Sequence, residues 1–446
     1  MQIAQKRLNA LNLLAISALE NGQKNKNVKK FNNQILTKLR CSDNINKKME
    51  GKMENRIYLD NAATTPISAS VYSKMLSCMQ ETFGNPSSLH SFGREAMSAL
   101  EEAREQIAKT IGAKASEIIF TSGGTESNNL AIKGFAHANK DKGNHIIVSS
   151  TEHASILEAC KELEEEGFKV TYLPVDKNGV IKYVELIKAI CDKTILVSIH
   201  AANNEVGSIQ PLQAIAEHCR KKEIAFHTDA VQAFGAMPLN VETNKIDLMS
   251  ISGHKIYGPK GIGVLYVRKG LKLKPLLSGG GQEMGLRSGT QSVSLAVGMA
   301  TAMQEASENL EKNIQALKNI RRYFLRKVKE TIPCVELNGH PRERVAGNAN
   351  LAFEGIEAEA LVMLLDMNGV AASTGAACSA GSVKPSHVLL AMEQTEEQAR
   401  SSVRFTFSRN ITPGEVDKAV EILAKQVKKL RKISPYKIKK DDKEEK

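Results

Sequence analysis

Several things are missing from this sequence, and each absence removes a class of function. No stretch approaches about 18 uninterrupted apolar residues, so no membrane-spanning helix is expected. The seven cysteines (Cys41, Cys78, Cys160, Cys191, Cys219, Cys334, Cys378) include no C-x-x-C pair. An odd, scattered set of thiols fits neither a disulfide framework nor a structural zinc site, and it suits a reducing compartment. The central part of the chain also lacks net charge. The whole carries 61 Lys and Arg against 49 Asp and Glu, a formal +12 that invites a nucleic-acid reading. Yet residues 1–52 hold 11 bases and three acids, and residues 431–446 hold seven bases and four acids. Between these segments 43 bases face 42 acids. A basic groove built into the fold is therefore not expected, nor is direct binding of nucleic acid.

What remains has ordinary globular composition, 42% hydrophobic and 25% charged, which excludes a wholly disordered chain. The length, 446 residues, suggests two or three domains at about 150 residues each. Residues 1–52 are rich in Lys and Asn, with one apolar patch from Leu8 to Leu19 and no continuous hydrophobic region of a secretory signal. They read as a poorly ordered basic extension, or as a start assigned too early with Met53 opening the chain. The location that follows is cytoplasmic, with an organellar transit peptide as the alternative.

From residue 92 helical and strand patterns alternate. Met97, Leu100, Ala103, Ile107 and Ile111 recur at helical spacing and predict a helix over 92–112. Short apolar strands are expected at Ile118–Thr121, His145–Ser150, Lys169–Leu173, Thr194–His200, Ile224–His227, Leu248–Ser252 and Gly263–Val267, with a helix beginning near Ser127. This is the pattern of an α/β fold with a mostly parallel sheet covered by helices. A long helical stretch from Leu295 to Glu330, strands at Asn348–Phe353 and Val403–Phe407, and a helix from Pro413 to Lys432 predict a smaller C-terminal α+β domain. The expected division is a large domain over 53–305, a small one over 306–432, and a charged tail over 433–446.

Three groups of residues at strand ends carry chemistry. Lys255, in Ser252-Gly253-His254-Lys255, follows an apolar strand, where desolvation can make an amine nucleophilic; a lone Lys there is more often an exposed turn residue. The following Gly258-Pro259-Lys260-Gly261 is not a P-loop, since its spacing is wrong. Asp229, in His227-Thr228-Asp229-Ala230-Val231-Gln232, either caps the next helix or pairs a protonated ring nitrogen. Ser122-Gly123-Gly124-Thr125 offers free N–H groups and a hydroxyl at a helix start, a cradle for phosphate. Each is weak alone. Together they are the set needed to hold pyridoxal phosphate, where open α/β sheets place their ligands.

With these residues in view, the chain resembles the cysteine desulfurases of the nitrogen-fixation and iron–sulfur-assembly type, within the class V aminotransferase group. The resemblance runs from about Ile57 to Tyr436 through Tyr58-Leu59-Asp60-Asn61-Ala62-Ala63-Thr64-Thr65-Pro66, Phe83-Gly84-Asn85-Pro86-Ser87-Ser88, Thr151-Glu152-His153, Asn203-Asn204-Glu205-Val206-Gly207 and Arg287-Ser288-Gly289-Thr290. It implies pyridoxal-phosphate fold type I. It further implies that Lys255 bonds the cofactor, Asp229 faces its ring nitrogen, Gln232 its phenolic oxygen, and His153 stacks on the ring and assists proton transfer. Gly124, Thr125, Ser252 and His254 would grip the phosphate, joined by Thr290 of a neighbouring subunit in a homodimer. Asn204 would sit against cofactor and substrate, and Arg404 would clamp the substrate carboxylate through its planar fork.

The discriminating residue is Cys378, in Ser373-Thr374-Gly375-Ala376-Ala377-Cys378-Ser379-Ala380-Gly381-Ser382. An isolated Cys is usually an inert buried thiol. This one lies in a Gly/Ala/Ser run that reads as a loop and matches the family's catalytic cysteine loop in its longer form. The implied reaction takes sulfur from L-cysteine as a persulfide on Cys378, releases L-alanine, and passes the sulfur to an iron–sulfur scaffold or a tRNA-thiolation protein. No resident metal is implied, only transient iron–sulfur ligation by Cys378 shared with a scaffold. Met284 and Ala376 depart from the family's common residues, and the other six cysteines read as structural. Selenocysteine lyase, or another class V reaction, stays open as the alternative.

Overall fold

The computed structural model describes residues 56–375 and 385–434; Cys378, Ala376, Cys41 and both charged termini lie outside the described residues. The chain enters through a two-residue strand, β1 (Ile57–Tyr58). Two helices follow, α1 (Ala69–Glu81) and α2 (Ser91–Ile111). The second buries Ala96, Leu100, Ala103, Ile107 and Ile111, the stripe its spacing requires. His90 caps its start by accepting from Gly93 N at 3.3 Å, and Gly112, at φ 72°, closes its end in the left-handed region.

A seven-stranded sheet forms the centre. Its members are β2 (Ile118–Thr121), β3 (His145–Ser149), β4 (Lys169–Leu173), β5 (Thr194–Ser198), β6 (Ala225–Asp229), β7 (Leu248–Ser252) and β8 (Gly263–Val267). They lie in the order β2-β8-β7-β6-β5-β3-β4. All adjacent pairs from β7 to β4 are parallel, and β8 runs antiparallel to both β2 and β7. Alternate residues feed two cores. Ile147, Val197, Phe226 and Met249 join one, while Ile146, Leu196, Ala225 and Leu248 join the other. Apolar residues on both faces are what a sheet with helices on both sides demands. Because β8 reverses direction, β2 runs the same way as β3, β5, β6 and β7. The carboxyl ends of these five strands therefore share one edge.

The helices that leave this edge are α3 (Gly124–Asn129) after β2, α4 (Ala154–Glu165) after β3 and α5 (Leu212–Lys221) after β5. The helical run begun at Gly124 continues through a π turn, Leu130–Gly134, to Phe135–Ala138. Beyond the sheet, α6 (Val293–Glu308) lies so close to α1 that a Cβ on Gly298 would stand 2.6 Å from Met75 Sδ. Sequence spacing suggested one helical stretch from 295 to 330. Instead α6 ends at Asn309 and α7 (Leu310–Thr331) begins anew. Asn309 turns its amide back onto Glu305 O at 3.0 Å, the local hydrogen bonding by which Asn favours helix ends.

A separate C-terminal core gathers α7 with β9 (Val335–Asn338), β10 (Asn348–Phe353), α8 (Ala358–Met367), β11 (Val370–Ala371), β12 (Ser402–Thr406) and α9 (Pro413–Ile433). The antiparallel sheet runs β12-β10-β9. Its centre is aromatic, with Phe324 5.1 Å from Phe405 and 5.2 Å from Phe407. β1 pairs with β11, so Ile57 and Leu59 bury here and the chain's entry is tied to the later core. Thr412 and Glu415 form a capping box at the start of α9, with Pro413 in its first turn. Among the described residues no helix is long and apolar enough to cross a membrane, and no cluster of His, Cys, Asp and Glu could hold a metal.

Candidate active site

The shared strand edge opens into a cavity of about 480 Å³. Lys255 reaches it from a single tight turn, Gly253–Lys255, directly after β7. The turn needs glycine at 253, where a Cβ would meet Pro259 O at 2.9 Å. The Lys255 amine donates to Ala62 O at 2.5 Å and Ala63 O at 2.8 Å, and Gln232 Nε2 donates to Ala62 O at 2.8 Å. The entry segment Asp60-Asn61-Ala62-Ala63 thus holds two groups of the cavity wall in place.

Asp229 is the last residue of β6 and is 8% exposed. Its Oδ1 accepts from Val231 N at 2.9 Å and its Oδ2 from Asn128 Nδ2 at 2.7 Å. It therefore orders the following turn and also presents a buried carboxylate to the cavity. Nearby, His200 is fully buried. Burial lowers its basicity, but the Glu152 carboxylate at 3.1 Å, aided by Asp229, raises it above the ordinary imidazole value.

The opposite end of the cavity is rich in donors. Gly124 and Thr125 open α3, Ser252 ends β7, and His254 follows. Gly124 is required where it stands, because a Cβ would fall 2.8 Å from Val231 Cγ2. Burial, and then the charges of Lys255 and Lys260, push His254 down to about 4. It is a neutral ring at pH 7. Glu126 braces the helix start, accepting from Ser122 N at 2.7 Å and Arg287 Nε at 2.9 Å. Burial opposes its ionisation, but these partners hold it below the usual carboxylate range.

His153 N-caps α4, its Nδ1 accepting from Ser155 N at 3.1 Å. Arg404 comes from β12 of the C-terminal core and is 3% exposed. Its Nη2 meets Asp60 Oδ1 at 2.9 Å and its Nη1 donates to Asn204 O at 3.0 Å. Its Nε is buried with no hydrogen-bond partner among the described residues.

The structure thus brings Gly124, Thr125, His153, Asn204, Asp229, Gln232, Ser252, His254, Lys255 and Arg404 to one cavity. Thr290 is exposed and lies outside the cavity of its own chain. Cys378 falls outside the described residues, although Gly375, three positions earlier, lines the cavity. Of the other cysteines, Cys160 and Cys219 are core thiols that burial pushes up to about 12. Cys191 differs from expectation, being exposed in the turn before β5. Met284 is exposed, in left-handed backbone at φ 57°.

These walls suit pyridoxal phosphate. A helix start with hydroxyls answers a phosphate, a buried carboxylate answers a protonated ring nitrogen, and a strand-end amine answers an aldehyde. Arg404, which lines the cavity, presents a guanidinium to a ligand carboxylate. Sequence reasoning passed over Asn128, Ser155 and Asp60. The first had a signal, since Thr125 and Asn128 are three apart on one helix and so share a face.

Known proteins resemble this chain over most of its length. The family model described as aminotransferase class-V matches residues 57–419. A relative named cysteine desulfurase IscS, from Dictyoglomus turgidum, is 50% identical over 385 residues, spanning 86% of this chain and 98% of its own. One of the same name from Methanosarcina thermophila is 48% identical over 383 residues, spanning 86% and 95%. A solved structure of a NifS-like protein superposes with a TM-score of 0.79 at 38% identity, spanning 84% of this chain and 99% of that one.

Proposed function

Since the chain belongs to the class-V aminotransferases, and among them to the cysteine desulfurases, we propose how its residues divide the work of mobilising sulfur from cysteine. The enzyme depends on pyridoxal phosphate, which when bound supplies an electron sink for the charge left at the substrate α-carbon.

Gly124, Thr125, Ser252 and His254 hold the phosphate, and neutral His254 does so as a hydrogen-bond donor. With the cofactor bound, Asp229 would keep the ring nitrogen protonated, Gln232 would contact the phenolic oxygen, and His153 would lie against the ring. Lys255 would anchor the cofactor through its amine and would then move the α-proton. Arg404 and Asn204 receive the L-cysteine, Arg404 through its carboxylate. Cys378 attacks the substrate sulfur: an S–S bond forms as the C–S bond breaks, leaving a persulfide on Cys378 and releasing L-alanine. Thr290, turned away from its own cavity, completes the phosphate site of a second copy in a homodimer. The persulfide then passes to a protein acceptor that builds iron–sulfur clusters or thiolates tRNA. The described cysteines are all free thiols, which supports work in the reducing cytoplasm.

The observation that carries this reading is the convergence of ten sequence-singled residues on one cavity, with Lys255, buried Asp229 and buried Arg404 from three separate elements. The test is Cys378→Ala. Visible cofactor absorbance is expected to persist while persulfide and alanine production from L-cysteine are lost. Full activity in that variant would overturn the role given to Cys378.

A further inference from the structure

In the cavity wall, four side chains from three elements form a chain of hydrogen bonds whose direction can be deduced. His153 Nδ1 accepts from the backbone N–H of Ser155 at 3.1 Å, so Nδ1 carries a lone pair and the ring hydrogen sits on Nε2. Ser155 Oγ stands 2.8 Å from the same Nδ1 and must therefore be the donor. Having given its hydrogen to His153, Ser155 Oγ accepts from Asn128 Nδ2 at 2.9 Å. The second hydrogen of that amide goes to Asp229 Oδ2 at 2.7 Å. The amide orientation is set by the carboxylate, which can only accept. Asn128 is 1% exposed, Asp229 and Ser155 each 8%. Buried bonds of this kind are strong, and both Asn128 amide hydrogens are used, while its Oδ1 has no hydrogen-bond partner among the described residues.

We propose that Asn128 and Ser155 are positioning residues that join Asp229 to His153, fixing as one unit the carboxylate that would face the ring nitrogen and the imidazole that would stack on the ring. The proposal rests on the cofactor site described above and extends it. It also narrows what His153 does. With Nδ1 occupied by two donors, the ring serves the reaction as a plate and an Nε2–H donor, which leaves the α-proton to Lys255. Neither Asn128 nor Ser155 is asked to touch substrate.

The test uses the full-length holoenzyme with ¹⁵N-labelled histidine, read by long-range ¹H–¹⁵N correlation, together with cofactor affinity and steady-state kinetics. In the wild type, His153 is expected as the Nε2–H tautomer. Ser155→Ala keeps the backbone N–H and with it the Nε2–H tautomer, but it is expected to shift the Nδ1 resonance and weaken cofactor binding, and Ser155→Thr, which keeps the hydroxyl, to restore both. Asn128→Ala removes a hydrogen bond to a charged group. It is expected to weaken cofactor binding and lower kcat by about tenfold each, with KM for L-cysteine within about twofold. An Nδ1–H tautomer in the wild type overturns the proposal, whether or not any variant folds. So does an unshifted Nδ1 resonance in Ser155→Ala joined to unchanged cofactor affinity in Asn128→Ala. If the wild type shows no cofactor band at all, the site reading itself falls, and the proposal falls with it.

Discussion

Buried Arg404 and half-buried Asp60 form an ion pair at 2.9 Å across the junction between the entry segment and β12. Asn204 O takes a second guanidinium nitrogen, so the fork is already oriented before any substrate arrives. A planar fork held on two sides keeps its remaining N–H groups in one fixed orientation. Asp60→Asn keeps the shape but removes the charge. KM for L-cysteine is expected to rise about tenfold with kcat within about threefold, the loss of one charge-assisted bond. Arg404→Lys loses the fork itself, and KM is expected to rise about 100-fold. Steady-state kinetics on holoenzyme with unchanged cofactor absorbance checks both.

Glu205 offers a second constraint. Its buried carboxylate accepts from Ser386 Oγ at 2.5 Å, and the same oxygen would stand 3.1 Å from a Cβ on Gly375. Gly375 has φ 85°, a conformation that disfavours any side chain. These two residues flank the segment that carries Cys378. Gly375→Ala is expected to cost about 1–2 kcal/mol in chemical denaturation. Alanine production should also fall by about tenfold, since a misplaced nucleophile loses effective concentration.

Much of this was legible from residue order, and the limits have physical causes. Strands such as Leu248–Ser252 were readable because burial on both faces makes them continuous apolar runs. Lys255, Asp229 and Gly124 were readable because a strand end is a fixed address in such a sheet. β1 and β11, two residues each, were not, since a pair that short leaves no periodic trace. The break at Asn309 was hidden in helix-favouring neighbours. Asn128 and Asp60 were passed over because their importance lies in partners 101 and 344 positions away. No local pattern encodes such a distance.

The buried histidine of β6 gives a pH prediction. His227 is enclosed between Ser198 Oγ at 2.7 Å and Ser250 Oγ at 3.0 Å, and burial pushes it down to about 4. The unfolded chain takes up this proton near 6.5, the folded one only near 4. Between those values the unfolded state binds more protons, so stability falls as pH falls. The His227 contribution is expected to be about 3 kcal/mol across that window. His200, whose basicity is raised, acts in the opposite sense. Comparing wild type with His227→Gln isolates the effect. Urea midpoints taken from pH 7 to pH 4 should fall less steeply in the variant.

The last prediction concerns the segment that carries Thr290. Glu283 is 3% exposed and meets Arg104 of α2 through two bonds, Nη1 to Oε2 at 2.7 Å and Nη2 to Oε1 at 2.8 Å. Its Oε2 also accepts from Phe120 N in β2 at 2.8 Å, and Arg104 stacks 4.8 Å above the Phe120 ring. This pins the segment to the sheet edge although Glu283 and Met284 both carry positive φ. Glu283→Ala removes the two-bond partner of the buried Arg104 guanidinium, leaving it Glu101 Oε1 at 3.0 Å and Ile118 O at 2.7 Å, and is expected to cost about 3 kcal/mol. A paired replacement, Arg104→Met with Glu283→Leu, removes both charges and should recover most of that loss, because it leaves no buried charge unpaired. Cofactor affinity separates stability from placement. If the paired variant is stable yet binds pyridoxal phosphate about tenfold more weakly than wild type, the ion pair acts by holding Thr290's segment at its address. If affinity returns along with stability, the pair serves folding alone.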